Sequence, residues 1–380
     1  MKTVVIRFTA VITAVILGIV FFLAMVYLGN KSKGPFEDIL SGVDAGIART
    51  ENQMLNTRQR RSAALEWFNA YRNNKLYINT IDTLLLGAYD DATQESYENI
   101  IQLEDSLKTK LPVVSIYTAW GSKKDQVFPL LRAQALYDLG SIPMITWEPW
   151  LNDFDPLYFV HNNSGNADVN KGGLKAIAEG KYDAYIDKWA VDAKKFGMPF
   201  FLRWGHEMND PYRYPWGEQN NLPEDYINAW RHVVNRFRAV GADNAIWIWS
   251  PHPAYATYAQ FYPGHEFVDW IGFTGLNYGT VATWSQWWAF PDIINNAYNE
   301  LSLYGKPIMV AEFGSLAVGG KRKTWFKEAF ESIYSKYPAI KAVVFFHAAN
   351  DNSISYKALD WSFKQDTAVL SALRPVIQKK

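Results

Sequence analysis

The feature that most constrains this chain is a rhythm. Eight short apolar runs recur along it, each ending in a polar or aromatic cluster and each followed by a stretch with helical periodicity. The runs are Leu84–Tyr89, Val113–Tyr117, Met144–Glu148, Phe200–Trp204, Ala245–Trp249, Trp270–Thr274, Ile308–Ala311 and Ala342–Phe346. Short apolar runs that alternate with helices predict βα units. Between two of them, Tyr226, Trp230, Val233, Val234 and Phe237 fall on one face of a helix that stops near Gly241. Leu130, Ala133, Leu136 and Tyr137 do the same before Gly140. Eight alternations favour a closed α/β (β/α)8 TIM barrel over a doubly wound open sheet, and the expected barrel domain is 76–380. Barrel enzymes place their chemistry at the C-terminal ends of the strands, so those ends are where functional residues are to be sought.

Upstream, residues 8–29 carry no charge and are almost wholly apolar, a length that suffices for the roughly 20 residues a bilayer core requires. This predicts a transmembrane signal anchor within residues 1–30. No A-x-A pattern follows Leu28-Gly29-Asn30, so the expected form is a retained anchor, with secretion after signal cleavage as the alternative. Residues 31–75 are polar and charged, then pattern weakly as helix around Ala63, Leu65, Trp67 and Phe68, which reads as a stem and lead-in helix. Arg58-Gln59-Arg60-Arg61 within it is expected on a solvated helix face.

Composition excludes several classes of function. Lys plus Arg and Asp plus Glu both total 38, so bulk charge offers no attraction to nucleic acid and the expected partner is neutral. There is no Cys, which removes disulfides, thiolate metal sites and thiol nucleophiles. Aromatic residues reach 16%, which serves either core filling or sugar stacking.

Two strand ends carry acids. After the fourth run the chain reads Arg203-Trp204-Gly205-His206-Glu207-Met208-Asn209, and period-two alternation would put Arg203, Gly205 and Glu207 on one face. An Arg and a Glu on an apolar strand belong at the barrel mouth, because facing the helices would desolvate both charges. The seventh run ends Ala311-Glu312-Phe313-Gly314, and the same alternation groups Ile308, Val310 and Glu312. Paired carboxyls across a mouth suit glycoside hydrolysis, with gaps of about 5–5.5 Å for retention and ~6.5–9.5 Å for inversion. A zinc-protease reading of His206-Glu207 fails because position 210 is Asp210, not His. Gly314-Ser315 likewise lacks the G-x-S-x-G elbow of serine hydrolases.

With Tyr214-Pro215-Trp216 behind the first acid, these motifs make the chain resemble glycoside hydrolase family 26 over roughly residues 80–350. That family of retaining barrels includes β-mannanases and mixed-linkage β-glucanases. The resemblance implies that Glu207 is the general acid/base and Glu312 the nucleophile. It further implies that His206 binds sugar beside the acid and that Tyr278 positions the nucleophile. Arg203 is a candidate stabiliser of nearby negative charge or a structural ion-pair partner. Trp147 and Glu148, in Thr146-Trp147-Glu148-Pro149-Trp150, are candidates for substrate binding or core packing, and Trp216 for a sugar platform. Two features depart from the family's mannanases: Asp210-Pro211-Tyr212-Arg213 intervenes before Tyr214, and the last strand ends Phe345-Phe346-His347.

The expected activity is therefore a retaining endo-β-glycanase acting on β-linked polysaccharide without metal or organic cofactor. β-Glucan is favoured, with β-1,4-mannan as the alternative; a membrane-tethered carbohydrate-binding protein without turnover is the reading from another class. Such a substrate places the catalytic domain outside the cytoplasm, held by residues 8–29. An anchored glycanase could also associate with polysaccharide synthesis or export machinery.

Overall fold

The computed structural model describes residues 60–378 except 124, 156–167, 282–285 and 353–357, together with 18–20, 22, 46–47 and 49–57. The chain divides into two compact units, Met1–Gln53 and Met54–Lys380, and the barrel occupies the second. The expected anchor at 8–29 lies outside the described residues apart from 18–20 and 22. Among the described residues no helix is long and apolar enough to cross a membrane.

All eight apolar runs form strands: β1 Leu85–Tyr89, β2 Val113–Ala119, β3 Ile142–Glu148, β4 Phe200–Trp204, β5 Ala245–Trp249, β6 Trp270–Asn277, β7 Ile308–Ser315 and β8 Ile340–Phe346. Each pairs in parallel with the next, and β8 pairs with β1 to close the ring. Parallel strands buried on both faces need apolar residues at nearly every position, which is why the runs read as continuous rather than alternating. The helices obey the expected periodicity. Pro223–Val240 buries Tyr226, Trp230, Val233, Val234 and Phe237, and it ends at Gly241, whose φ of 77° is the left-handed cap a glycine provides without steric cost.

Alternation sorts the strand residues into two cores. Phe200, Leu202 and Trp204 point outward into the layer shared with the helices, as do Ile145 and Trp147 of β3. Phe201, Met144, Val113, Ile246, Ile248 and Met309 fill the barrel interior. Phe68, Ile78 and Ile81 belong to that same interior cluster, so the segment just before β1 plugs the N-terminal end of the barrel.

One expectation about that segment is overturned. Arg61 is not on a solvated face but buried, only 1% exposed. Its guanidinium donates to both carboxylate oxygens of Glu104, to Ser141 Oγ, and to the carbonyls of Leu111 and Leu139. A fork with five N–H donors can be satisfied this fully without water, which offsets the cost of burying its charge.

Candidate active site

Glu312 is the best-held charge at the C-terminal end of the barrel. It is 7% exposed, and its Oε1 accepts from Arg203 Nη2 and from the Tyr117 hydroxyl, both at 2.8 Å. Arg203 is wholly buried, donates to the Tyr117 hydroxyl at 2.7 Å and is steadied through Nε by Thr146 Oγ1 at 3.0 Å. Burial alone would push the Glu312 carboxyl upward. Arg203 and Arg213, with the hydrogen bonds from Arg203 and Tyr117, outweigh that and hold it below the ordinary carboxyl value. The result is a carboxylate kept ionised and fixed in place.

The strand does not deliver Glu312 by simple alternation. Phe273 of β6 pairs with Val310, yet the next residue, Thr274, pairs with Glu312, so Ala311 is an extra residue in β7. Ile308 and Val310 belong to the outer core, while Met309 and Ala311 belong to the barrel interior. Uninterrupted period two would therefore have sent Glu312 outward with Ile308 and Val310, so the expected grouping of those three is corrected. The bulge at Ala311 reverses the phase, turning Glu312 to the mouth and Phe313 out onto Phe290 and Trp325.

Glu207 arrives by a different device. Strand β4 ends at Trp204, and both Gly205 (φ 49°) and Glu207 (φ 55°) adopt left-handed backbone conformation. The shared face expected for Arg203, Gly205 and Glu207 thus ends at the strand. For a residue with a Cβ this conformation costs about 1–2 kcal/mol. Surrounding bonds hold it: Glu207 N–H donates to the Ser250 carbonyl at 2.7 Å, and its own carbonyl accepts from Asp210 N–H at 3.0 Å. The Glu207 carboxylate is 1% exposed on the whole residue, accepts from Thr274 Oγ1 and has Arg213 Nη1 3.5 Å from Oε2.

Other expected residues gather here in unequal measure. His206 is buried beside Glu207, with Nε2 3.0 Å from the Tyr214 hydroxyl. Burial, reinforced by Arg203, Arg213 and His252, pushes its imidazole well below the ordinary value, so it is neutral. Glu148 ends β3 on the inner face; burial pushes its carboxyl up to about 7 against the Trp150 Nε1 hydrogen bond at 3.1 Å and the opposing pull of Arg203. Tyr278 stands at the mouth, edge-on to Trp361 at 4.9 Å, with its phenol raised to about 12 by burial, eased by Arg213 and augmented by Glu207. Trp216 is buried, stacks on Tyr214 at 4.6 Å and donates to the His206 carbonyl at 2.8 Å, which makes it a buttress of the Glu207 elbow rather than an open platform. Trp147 is not brought to the mouth at all. It is wholly buried in the outer core and stacks on Trp189 at 4.2 Å, because alternation in β3 sends it away from Thr146 and Glu148.

Three contributors escaped the sequence reading: Tyr117, Thr274 and Arg213. Tyr117 and Thr274 were findable, since each is a polar-ended residue on the inward phase of an otherwise apolar strand. Arg213 lies in the intervening Asp210–Arg213 stretch, and nothing in its local pattern announces that its side chain folds back over the Tyr214 ring toward Glu207. Among the described residues, the buried polar atoms without a hydrogen-bond partner include Arg203 Nη1, His206 Nδ1, Glu207 Oε2 and Ser250 Oγ. Such atoms mark where a polar ligand would repay desolvation.

Comparison with known proteins agrees with this geometry. The chain matches the family model for Glycosyl hydrolase family 26 over residues 161–355. It is 35% identical over 304 residues to Endoglucanase H of Acetivibrio thermocellus, covering 77% of this chain and 30% of that protein. It is 24% identical over 228 residues to the mannan endo-1,4-beta-mannosidase of Bacillus subtilis, covering 53% of this chain and 57% of that one. The chain thus spans less than two thirds of the length of either relative. In fold it is similar to a β-mannanase of family 26 from Bacteroides ovatus, with TM-score 0.57, 17% identity, and coverage of 84% of this chain and 93% of that one. The pair of held carboxylates at the mouth of an eight-stranded barrel and the family match lead to one statement: the chain belongs to glycosyl hydrolase family 26.

Proposed function

We propose that the chain is a retaining endo-β-glycanase that hydrolyses a β-linked polysaccharide by double displacement. The observation that carries this reading is the unequal treatment of two acids at one mouth. Glu312 is fixed and kept ionised by Arg203 and Tyr117, whereas Glu207 sits on a separate elbow with one oxygen lacking a hydrogen-bond partner. Glu312 attacks the anomeric carbon while Glu207 gives its proton to the departing glycosidic oxygen; Glu207 then takes a proton from the water that releases the glycosyl-enzyme ester. Arg203 gives up the charge of Glu312 as the ester forms, and the Tyr117 hydroxyl is placed to follow that change. Neutral His206, Tyr278 and Glu148 are assigned to sugar hydroxyls. Trp216 acts through the elbow it supports.

β-Glucan is the proposed substrate. The Endoglucanase H relative, at 35% identity across 77% of this chain, supports it. An endo-β-1,4-mannanase with the same machinery is the second reading, supported by the mannosidase relative. Reducing-sugar release from mixed-linkage β-glucan, glucomannan and galactomannan separates the two, and the anomeric form of the first product, followed by NMR, reports retention. Glu312→Gln and Glu207→Gln should each cost orders of magnitude in rate without unfolding the barrel; a fully active Glu312→Gln would sink the assignment. Saturable polymer binding without new chain ends would instead favour a carbohydrate-binding protein. The proposed setting is outside the cytoplasm, anchored through residues 8–29 and beside polysaccharide synthesis or export machinery. Membrane fractionation with protease accessibility tests the anchor, and recovery of the protein without a co-purifying membrane partner counts against the association.

A further inference from the structure

The leaving half of the substrate must lie on the side of the acid that protonates it. On this chain that side is built by the loops after β4 and β5, which Asn209 joins. Asn209 clasps the two loops: its Nδ2 donates to the carbonyls of His252 (3.0 Å) and Tyr255 (2.7 Å), and its Oδ1 accepts from His252 N–H at 2.7 Å. Three rings stand on the clasp. The His252 and Tyr255 centroids are 5.1 Å apart, those of Tyr255 and Tyr212 are 6.5 Å apart, and the planes are inclined at 44° and 59°. Tyr212 is 82% exposed, two residues after Asp210 in the stretch that departs from the family's mannanases. Tyr255 is tied to the acid's loop by geometry: its carbonyl accepts from Asn209, two residues past Glu207.

An exposed tyrosine is a poor surface choice unless its face is used. It presents a large apolar area at low conformational cost, with a hydroxyl at the rim for polar partners. Arg213, only 34% exposed in its side chain, separates this ring group from the carboxylate and pairs with it at 3.5 Å. The opposite side of the mouth, beside Glu312, is already filled by Tyr117 edge-on to Tyr89 at 4.7 Å, with Phe346 stacked on Tyr89 at 5.2 Å. Tyr117 continues through His206, 6.4 Å away, to Tyr214 and Trp216, whereas Tyr212, Tyr255 and His252 form a separate group on the loops after β4 and β5.

We propose that Tyr212 and Tyr255, with His252, form the platform on which sugars of the leaving chain stack, so that polymer recognition beyond the cleaved bond resides in these two loops. This rests on the assignment of Glu207 as the acid. The reaction itself is unchanged: the platform supplies binding on the leaving side, and the proton still travels from Glu207 to the glycosidic oxygen.

The test compares Tyr212→Ala, Tyr255→Ala and Tyr212→Phe with wild type on two substrates: mixed-linkage β-glucan (galactomannan if that is the polymer cleaved), and a nitrophenyl β-oligosaccharide of the matching sugar, whose small leaving group carries no further sugars. The alanine variants should lose on the order of tenfold in kcat/KM on the polymer, chiefly through KM, as expected when an aromatic contact made equally in the ground and transition states is removed. Hydrolysis of the nitrophenyl substrate should stay within about twofold of wild type, and Tyr212→Phe should keep polymer activity. Equal losses on both substrates would overturn the proposal by making the tyrosines supports of Glu207, and unchanged polymer kinetics in both alanine variants would overturn it outright. If wild type turns over neither substrate while Glu312→Gln binds polymer as wild type does, it is the hydrolytic reading that fails, and the platform falls with it.

Discussion

Replacing Glu148 by Gln should change how stability depends on pH, and the size of the change follows from where the carboxyl sits. Its ordinary value is 4.5, and burial, against the opposing pull of the Trp150 hydrogen bond and Arg203 and with a push from Glu312, raises it to about 7. The folded state therefore holds this proton more tightly than the unfolded chain does. Stability from this group is fully present below about pH 4.5, falls as pH rises through about 7, and is level above that. A gap of this width corresponds to about 3 kcal/mol at full expression, at 1.36 kcal/mol per tenfold change in proton affinity. An amide of the same shape cannot titrate, so the Gln variant escapes the penalty.

Urea unfolding of wild type and Glu148→Gln at about pH 5 and about pH 8 reads this directly. The variant should gain on wild type by on the order of 2 kcal/mol between the two conditions. Comparing the difference between proteins, rather than either alone, cancels every other titrating group. A difference that stays flat with pH would refute the reasoning, since it would mean that Glu148 does not carry its proton into the neutral range. The same titration has a functional side: if the ionised form accepts a sugar hydroxyl, KM for polymer should fall as pH rises through about 7 in wild type and stay level in the variant.

Two further outcomes follow from the buried polar clusters. Tyr117→Phe removes a hydrogen bond to a charged acceptor worth about 1.5–3 kcal/mol. Because that bond helps hold Glu312 down, the acid limb of the kcat/KM profile should move to higher pH if Glu312 is the nucleophile, as proposed; a pH profile identical to wild type would show that Tyr117 does not help hold that carboxyl down. Arg61→Met strands Glu104 at the barrel base with only Lys110, 3.5 Å away, as a cationic partner, so stability should fall by about 3 kcal/mol. Adding Glu104→Gln should recover part of that loss, whereas additive losses in chemical denaturation would refute a direct coupling.

The ring of strands was legible because a parallel barrel leaves a blunt trace. Strands sandwiched between an inner and an outer core must be apolar throughout, and helices between them must show one apolar face, as Pro223–Val240 does. The two acids were legible as carboxylates following apolar runs, although β7 runs on to Ser315 beyond Glu312 and β4 stops at Trp204 before Glu207. What stayed hidden depends on contacts between distant residues. Arg61 looked like one more charge in a basic run because its acceptors lie 43 to 80 positions away. Trp147 stayed open between substrate binding and core packing because a Trp beside a Glu reads the same whether it faces the mouth or the helices. Only the phase of β3 decides, and Ile145 already shared the outward phase with it.

Phase also explains why both acids sit where regular strand geometry stops. Strict alternation from the outward Val310 would bury Glu312 against the helix layer, where Phe313 now stacks, whereas Glu207 lies past the end of β4 on an elbow whose N–H donates to the Ser250 carbonyl. A barrel interior packed with Met309, Ile248 and Phe201 leaves no room for two carboxylates at strand level, so they must be lifted to the rim. Each is lifted by a local irregularity: an extra residue at Ala311 for one, and a left-handed elbow at Gly205 and Glu207 for the other. Both irregularities are secured by partners from other strands, Thr274 of β6 and Ser250 just past β5 for Glu207, Arg203 of β4 and Tyr117 of β2 for Glu312. The closed ring therefore underlies the site, since it is partners from neighbouring strands that fix two carboxylates lying off regular strand geometry.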